Sequence, residues 1–237
     1  MLVTIHQPHY LPWLPYMGKV ASSDVFILLD DVDFTRNGWQ NRNKIKTAQG
    51  PLVLTVPVEQ KLGQTIEHTR VTPGNWQRKH WSTIRQAYAA APQFSRYAAE
   101  LEGFFTRPWE GLCSPVCDMV VWLMGQLGMS QKVVRSSQLG ISTSSTRRLV
   151  DLVKAVGGTG YLSGSFALSA YLEPDLFPAE GLELRLYDWK CPEYAQIHPK
   201  QGFVPNLATL DALFSVGPEA TLKLLLEGSR LGSYQPA

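Results

Sequence analysis

The chain has 237 residues, of which 44% are hydrophobic and 18% are charged, and its formal net charge is +2 at pH 7. This length and composition are typical of a globular chain that can bury a core, and they exclude an intrinsically disordered one. The small net charge also disfavours a nucleic-acid-binding protein, whose positive charge is usually much larger. Any binding of anions must therefore depend on a local group of cations.

The N-terminal segment begins with a strand pattern. Residues 1–5 are mostly apolar and β-branched, which predicts a short buried strand, and this strand leads into the run His6-Gln7-Pro8-His9-Tyr10-Leu11-Pro12-Trp13. The prolines of this run prevent a continuous helix, because each removes a backbone donor and restricts the residue before it. We therefore expect a stiff polar loop at the end of the first strand.

A second strand is predicted over residues 25–29, after a short helix over residues 14–21. Its five consecutive apolar residues are typical of a strand covered on both faces, and Asp30 and Asp31 follow it directly. The segment after these acids, residues 35–47, has no acidic residue and contains the cations Arg36, Arg42, Lys44 and Lys46. We expect its part from Asn41 to Lys46 to be a basic loop. Because ligands of parallel sheets bind at the carboxyl ends of the strands, these polar groups predict a site at that edge.

The remainder of the chain alternates between strand and helix patterns. Thr72 and Pro73 predict the start of a helix, and the helical block that begins there extends over residues 73–130. Further strands are predicted at 52–58, 132–135, 161–163 and 182–187, and further helices at 94–105, 115–127, 147–156, 166–172, 207–214 and 219–226. This order predicts an α/β fold, a mainly parallel sheet with flanking helices and a helical insertion or subdomain. We divide the chain into an N-terminal α/β half (1–72), the helical block (73–130) and a C-terminal α/β half (131–237) of one compact domain.

The cysteine pattern disfavours disulfides and zinc. Cys113, Cys117 and Cys191 cannot all pair, and Cys113 and Cys117 are four residues apart, so that they share one face of a helix. No histidine stands at a metal-ligand spacing, so we interpret them as buried thiols and predict no metal and no resident cofactor.

The apolar segments of the sequence indicate neither a signal peptide nor a membrane-spanning helix. His6 and Gln7 interrupt the N-terminal apolar run before the core of a signal peptide could form. The apolar stretch at residues 116–129 is too short to cross a bilayer. We therefore expect a cytoplasmic protein without membrane insertion.

His6 is the first candidate catalytic residue, because an imidazole titrates near neutrality and can act as a general base. Gln7 beside it offers both a donor and an acceptor. The alternative is a histidine that only bonds backbone groups in a proline-stiffened turn. Asp30 and Asp31 could bind a substrate amine or ribose hydroxyls, or they could be strand-end acids neutralised by a nearby arginine.

Arg42, Lys44 and Lys46 alternate along the chain, so in extended backbone their side chains point the same way. Three converging cations, with the amide of Asn41 beside them, suit a phosphate, pyrophosphate or carboxylate. A solvated basic face is the alternative.

Two further segments carry candidate residues. His80 lies one helical turn from Trp76 and Ile84, so it either packs against aromatic residues or lines the same cleft. Ser136-Ser137 and Ser163-Gly164-Ser165 each follow a predicted strand and could present donors to an anion or simply cap helices. Neither matches a Gly-x-Ser-x-Gly or a Walker motif, so a serine hydrolase is disfavoured.

Several of these segments together resemble the WbqC-like protein family, from the first residues to about Glu219. The resemblance is carried by His6-Gln7-Pro8 with Tyr10, Pro12 and Trp13, by Ser23-Asp24-Val25-Phe26 with Asp30-Asp31-Val32, by Asn41-Arg42-Asn43-Lys44-Ile45-Lys46-Thr47, by Lys79-His80-Trp81, by Tyr161-Leu162-Ser163-Gly164 and by Leu210-Asp211. Pro15 departs from the family pattern, which leads us to expect glycine there. The resemblance implies an enzyme of bacterial surface-polysaccharide, O-antigen or related secondary-metabolite biosynthesis that acts on a nucleotide-linked amino sugar. It also implies a partner of the acyl or peptidyl carrier class.

The hypothesis is a transferase that moves an acyl or aminoacyl group to the amine of such a sugar, from a phosphopantetheine-bound or nucleotide-linked substrate. His6 would be the general base, Asp31 would orient His6 or bind the ammonium form of the amine, and His80 is the third catalytic candidate. The substrate-binding candidates are Gln7, Tyr10, Trp13, Asp30, Asn41, Arg42, Lys44, Lys79, Ser163 and Gln196. The alternatives are a nucleotidyltransferase-like enzyme, although the His-x-Gly-His motif of that class is absent, and a non-catalytic module that binds sugar nucleotides or carrier proteins.

Overall fold

A six-stranded sheet lies at the centre of the computed structural model, which describes residues 1–59 and 61–235. Its strands are β1 (Leu2–His6), β2 (Val25–Leu28), β5 (Lys132–Arg135), β6 (Gly160–Gly164), β7 (Glu183–Trp189) and β8 (Ser229–Ser233), and a separate antiparallel hairpin is formed by β3 (Arg42–Thr47) and β4 (Gly50–Thr55). The helices are α1 (Leu14–Ala21), α2 (Trp76–Tyr88), α3 (Phe94–Thr106), α4 (Cys113–Gln126), α5 (Ser145–Ala155), α6 (Phe166–Ala170), α7 (Leu176–Ala179), α8 (Thr209–Val216) and α9 (Pro218–Gly228). The α/β prediction is confirmed.

The strand order is β5-β2-β1-β6-β7-β8, and only β8 runs antiparallel to its neighbour in this sheet. The chain moves outward from β1 through β2 to β5, then returns to the other side of β1 with β6 and continues to β7. The direction of winding therefore changes between β1 and β6. In open α/β sheets a crevice forms at such a point, outside the carboxyl ends of the two strands.

Helices cover both faces of the sheet, as the apolar run of β2 predicts. Phe26 and Leu28 of β2 belong to the core cluster shared with α1, α2, α3, α4 and α8, whereas Val25 and Ile27 belong to the cluster shared with α5 and α7. All four side chains are buried, because alternate residues of a strand face opposite sides of a sheet. Burial of each contributes about 1.5–3 kcal/mol to folding.

Some boundaries differ from the prediction. The helix expected to start at Thr72 and Pro73 begins only at Trp76, since Gly74 has a φ of 158° that a helix cannot contain. Residues 42–46, expected as a basic loop, form strand β3 and pair with β4.

The cysteine prediction is confirmed for two of the three residues. Cys113 and Cys117 are buried on one face of α4 with their Sγ atoms 3.8 Å apart, while Cys191 is half-buried. Within residues 1–59 and 61–235, no helix has both the length and the apolar character needed to cross a membrane.

Candidate functional site

His6 is the last residue of β1 and therefore lies at the carboxyl edge of the sheet. β1 pairs with β2 on one side and with β6 on the other, and the N–H of Leu29 donates to the His6 carbonyl at 2.9 Å. His6 thus lies where the winding of the sheet changes direction. The sequence pattern had placed it at such an edge, and the strand order adds that β6 is its other neighbour.

The hydrogen bond of the His6 ring determines its tautomer. Nδ1 lies 3.2 Å from the carbonyl oxygen of Gln7. Because a carbonyl can only accept, Nδ1 must carry the proton, and Nε2 of the neutral ring keeps its lone pair. The group that orients His6 is therefore the Gln7 backbone and not Asp31, which has other partners.

Aromatic rings and one cation surround this imidazole. The His6 ring lies edge-on to His9 (4.6 Å between centroids) and to Tyr16 (4.8 Å), and His9 stacks on Tyr16 at 4.8 Å. Lys19 of α1 is also buried, and its Nζ donates to the carbonyl of Ile5 at 3.2 Å. The four side chains His6, His9, Tyr16 and Lys19 form what we call the imidazole cluster.

Burial controls the charges in the imidazole cluster. It lowers the pKa of His6 well below 6.5, assisted by His9 and the Lys19 cation and opposed by the bond to Gln7. Burial, again with Lys19, lowers the pKa of His9 to about 3, and burial lowers the pKa of Lys19 to about 8. Both imidazoles are consequently neutral at pH 7.

The buried neutral His9 makes the fold sensitive to acid. Below pH 6.5 the unfolded chain binds a proton at this position that the folded chain cannot bind until about pH 3, so stability falls as the pH falls through this window. At pH 5 the difference amounts to about 2 kcal/mol. His9→Phe, which keeps a ring against Tyr16, is expected to remove about that much from the loss of unfolding free energy between pH 7 and pH 5, measured by urea titration.

A suitable control for this prediction is His68→Gln, because His68 is exposed. This variant should lose as much stability on acidification as the unaltered chain. An unchanged acid response in His9→Phe would show that His9 is protonated in the folded state at pH 5.

The loop after β1 packs on the segment that leads into β3. Gln40 Nε2 donates to Gln7 Oε1 at 2.6 Å, and the Tyr10 N–H donates to the Trp39 carbonyl at 3.2 Å. The buried Asn43 amide donates to the carbonyls of Tyr10 and Leu11 at 3.2 and 2.7 Å. The two segments that the sequence singled out, the His6–Trp13 loop and the basic strand, are therefore neighbours.

Trp13, Trp39 and Arg42 form a stack on this side of the molecule, which we call the indole–arginine stack. The two half-exposed indoles are 5.2 Å apart with an interplanar angle of 27°, and the Arg42 guanidinium lies 5.8 Å from the Trp39 ring. Arg42 also donates to Asn37. A flat aromatic ligand and its anionic groups are suited to such a surface.

The three alternating cations of β3 have different roles. Lys44 is half-buried on the same side of the strand as Arg42. Lys46 is buried instead, and its Nζ donates to Gln196 Oε1 at 3.0 Å and to the Gly202 carbonyl at 2.7 Å. The expectation that Lys46 joins an open anion site does not match this arrangement, and Gln196 is occupied with Lys46 and with the backbone of Val204.

Asp30 and Asp31 belong to a second cluster at the ends of β2 and β5. Asp30 is fully buried and accepts hydrogen bonds from Ser137 N at 3.0 Å and from Ser137 Oγ at 2.9 Å. Asp31 is half-buried and accepts from Ser136 Oγ and from Arg148 of α5. The donors of the Ser136-Ser137 pair, considered above for an external anion, thus bind these carboxylates.

The other predicted site residues are mostly buried. Tyr10 Oη is 2.8 Å from His80 Nδ1, both residues are buried, and burial lowers the pKa of His80 to about 4. Asn41 is buried and donates to the Val56 carbonyl, Ser163 is buried at the end of β6, and Lys79 is exposed. Direct contact of these residues with a substrate stays a prediction.

The sequence did not point to Tyr16, Lys19, Trp39, Gln40 and Arg148, which complete these clusters. Tyr16 and Lys19 are three residues apart on α1, a spacing that places both on one helix face, and this was the available signal. In the described parts, 1–59 and 61–235, no three His, Cys, Asp or Glu side chains gather in a way that could hold a metal ion.

Comparisons with known proteins agree with the resemblance described above. The model of the WbqC-like protein family matches residues 7–223. A Mycobacterium tuberculosis (strain ATCC 25618 / H37Rv) protein described as "Uncharacterized protein Rv1507c" is 32% identical over 222 residues, which cover 92% of this chain and 95% of the relative. No solved structure matches significantly. The chain belongs to the WbqC-like protein family.

Proposed function

We propose that this protein is an enzyme that transfers an acyl or aminoacyl group to the amine of a nucleotide-linked amino sugar. The setting would be bacterial surface-polysaccharide, O-antigen or related biosynthesis, which the family resemblance implies. The observation that carries the proposal is the state of His6, a neutral imidazole with its Nε2 lone pair free at the point where the sheet changes its winding direction.

A neutral imidazole with one basic nitrogen suits the proton transfers of acyl transfer. The amine of the sugar attacks the carbonyl carbon of a thioester, so a C–N bond forms and the C–S bond breaks. His6 Nε2 takes the proton that the amine must lose, while Nδ1–H stays bonded to Gln7. The proton then passes from Nε2 to the departing thiolate, and His6 returns to its neutral form.

The neighbouring groups supply what a nucleotide-linked substrate requires. The indole–arginine stack offers a surface for the nucleobase, and Arg42 with Lys44 can neutralise the diphosphate. Asp31 is the half-buried carboxylate at the end of the next strand and would bind the ammonium form of the sugar amine, which releases one proton to solvent before the neutral amine attacks.

The proposal is tested by incubating the protein with UDP- and dTDP-linked amino sugars and with acyl and aminoacyl thioesters of phosphopantetheine or of carrier protein. Mass spectrometry should detect an amide on the sugar amine. Thermal unfolding should first identify the ligands, because a ligand at 100 times its dissociation constant stabilises the folded state by about 2.7 kcal/mol. Stabilisation without any product would instead favour a binding module.

A nucleotidyltransferase is the second candidate. His6 and His9 directly follow β1 and are three residues apart, the spacing of the two histidines in the His-x-Gly-His motif, although Pro8 stands in place of the glycine. The strand order around β1 also suits nucleotide binding. Release of pyrophosphate from a nucleoside triphosphate in the presence of a sugar phosphate would favour this activity and argue against acyl transfer.

A further inference from the structure

A cavity of about 520 Å3 opens on the helical side of the molecule, at a place that the sequence did not single out. It lies between the start of α2, the segment before α4, and the residues Glu59, Lys61, Arg70 and Val71. Its volume is within the range of pockets that bind small molecules. The residues that define its character are Glu59, Lys61, Arg70, Trp76, Trp109 and Glu110.

Two tryptophans give the cavity an apolar, rigid side. Trp76 and Trp109 are 7% and 6% exposed and meet edge to face at 5.1 Å. Trp109 Nε1 donates to the Phe104 carbonyl at 2.8 Å, which fixes its ring. These indoles also pack against the buried Tyr10–His80 pair. The ring centroids are 6.2 Å apart for Trp109 and Tyr10, and 5.3 Å apart for Trp76 and His80. None of the residues that line the cavity belongs to the imidazole cluster, so the cavity is a separate site.

Backbone pairing fixes the main chain at three of the charged residues of the cavity, whose side chains are exposed. The Glu59 N–H donates to the Arg70 carbonyl at 3.0 Å, and the Val71 N–H donates to the Glu110 carbonyl at 3.1 Å. Arg70 further pairs with Gly111 in a β-bridge. Glu59, Arg70 and Glu110 therefore lie on three segments whose backbones are hydrogen-bonded to one another.

The charged side chains that line the cavity do not form ion pairs with one another. Two cations, Lys61 and Arg70, and two carboxylates, Glu59 and Glu110, line it. None of the ion pairs formed within residues 1–59 and 61–235 involves these four side chains. Both signs of charge are consequently available to a ligand, next to a fixed apolar surface.

We propose that this cavity binds a small zwitterion with an apolar side chain, that is, an amino acid or a short peptide. Arg70, assisted by Lys61, binds the carboxylate, Glu110 and Glu59 bind the ammonium group, and the side chain packs on Trp76 and Trp109. A phosphate-bearing ligand fits poorly, because two carboxylates would repel it. A purely apolar ligand would leave four charges without partners and desolvate them in part. The inference does not depend on the acyl transfer proposed above.

Calorimetric titration with matched ligands tests this site. The probes are phenylalanine, the dipeptide leucylphenylalanine, and the N-acetyl and C-amide derivatives of each. At concentrations up to about 10 mM, binding with a dissociation constant near 1 mM is measurable. The free zwitterions are expected to bind, and each capping group should weaken binding about tenfold or more. Tighter binding of the dipeptide than of phenylalanine would identify a peptide ligand, and the reverse an amino acid.

The variants connect each end of the ligand to one residue. Arg70→Gln should weaken binding of the free zwitterion about tenfold and leave binding of the C-amide unchanged. Glu110→Gln should also weaken binding of the free zwitterion about tenfold, but leave binding of the N-acetyl derivative unchanged. Arg78→Gln is the control, because Arg78 is exposed on the same helix as Trp76 and does not line the cavity. The proposal fails if neither free zwitterion binds, if capping has no effect, or if both Arg70→Gln and Glu110→Gln bind as the unaltered protein does.

Discussion

His6→Gln is expected to lower kcat for acyl transfer at least about 100-fold while changing KM little. A positioned general base contributes about 100- to 10,000-fold, and a group that acts mainly in the transition state affects turnover more than binding. Glutamine keeps a donor near the Gln7 carbonyl, but it offers no basic nitrogen at the position of Nε2. The measurement is steady-state kinetics of amide formation, with ligand binding followed separately by thermal unfolding.

The pH dependence provides an independent check on His6. Burial lowers the pKa of this group well below 6.5, so the base stays unprotonated as the pH falls through 6.5. The acid limb of kcat/KM is therefore expected well below that value, since this profile reports the essential groups of the free enzyme.

The control for the His6 prediction is His68→Gln, in which an exposed imidazole is lost and unaltered kinetics are expected. Full turnover in His6→Gln would mean that another group is the base. If the unaltered protein binds ligand but has no catalytic activity, and His6→Gln loses that binding, the protein is a binding module and His6 is part of its binding site.

The fold was predictable where local pattern and tertiary environment agree. Strand β2 is a run of four buried apolar residues, and helix α1 has the predicted bounds Leu14–Ala21. Strand β8 was not predicted, because its sequence Ser-Arg-Leu-Gly-Ser has no apolar run and four of its five residues are exposed. Its conformation is set by pairing with the edge of β7, which local sequence does not report.

The sequence indicated which polar residues follow the strands, but not the partners of these residues. The alternation of Arg42, Lys44 and Lys46 places their side chains on one side of the chain wherever the backbone is extended, as it is in β3. It cannot indicate that Lys46 is buried, because the acceptors Gln196 and Gly202 lie 150 and 156 residues further along the chain. Trp39 was not predicted as a site residue for the same reason, because its contact with Trp13 forms only in the folded chain.

The buried carboxylate of Asp30 shows how strongly the ends of β2 and β5 depend on such distant partners. Ser137 supplies two donors to it from 107 residues away. Arg135 Nε is 4.0 Å from Oδ2, and Cys113 Sγ contacts the same oxygen at 3.9 Å. Asp30 is fully buried, so these groups take the place of its hydration.

Asp30→Ala is therefore expected to lower the unfolding free energy by about 3–5 kcal/mol, the range found when one member of a buried charged network is removed. The Ser137 N–H, the Ser137 hydroxyl and the Arg135 guanidinium would each lose an acceptor, and buried donors without partners are costly. Asp30→Asn should lose less stability, because its amide oxygen still accepts one hydrogen bond.

Urea unfolding measures the stability of both variants. Asp33→Ala is the matched control, since Asp33 is exposed three residues away and surface changes stay within about 0.5 kcal/mol. Equal stabilities for Asp30→Ala and Asp33→Ala would mean that the ends of β2 and β5 are held by other contacts.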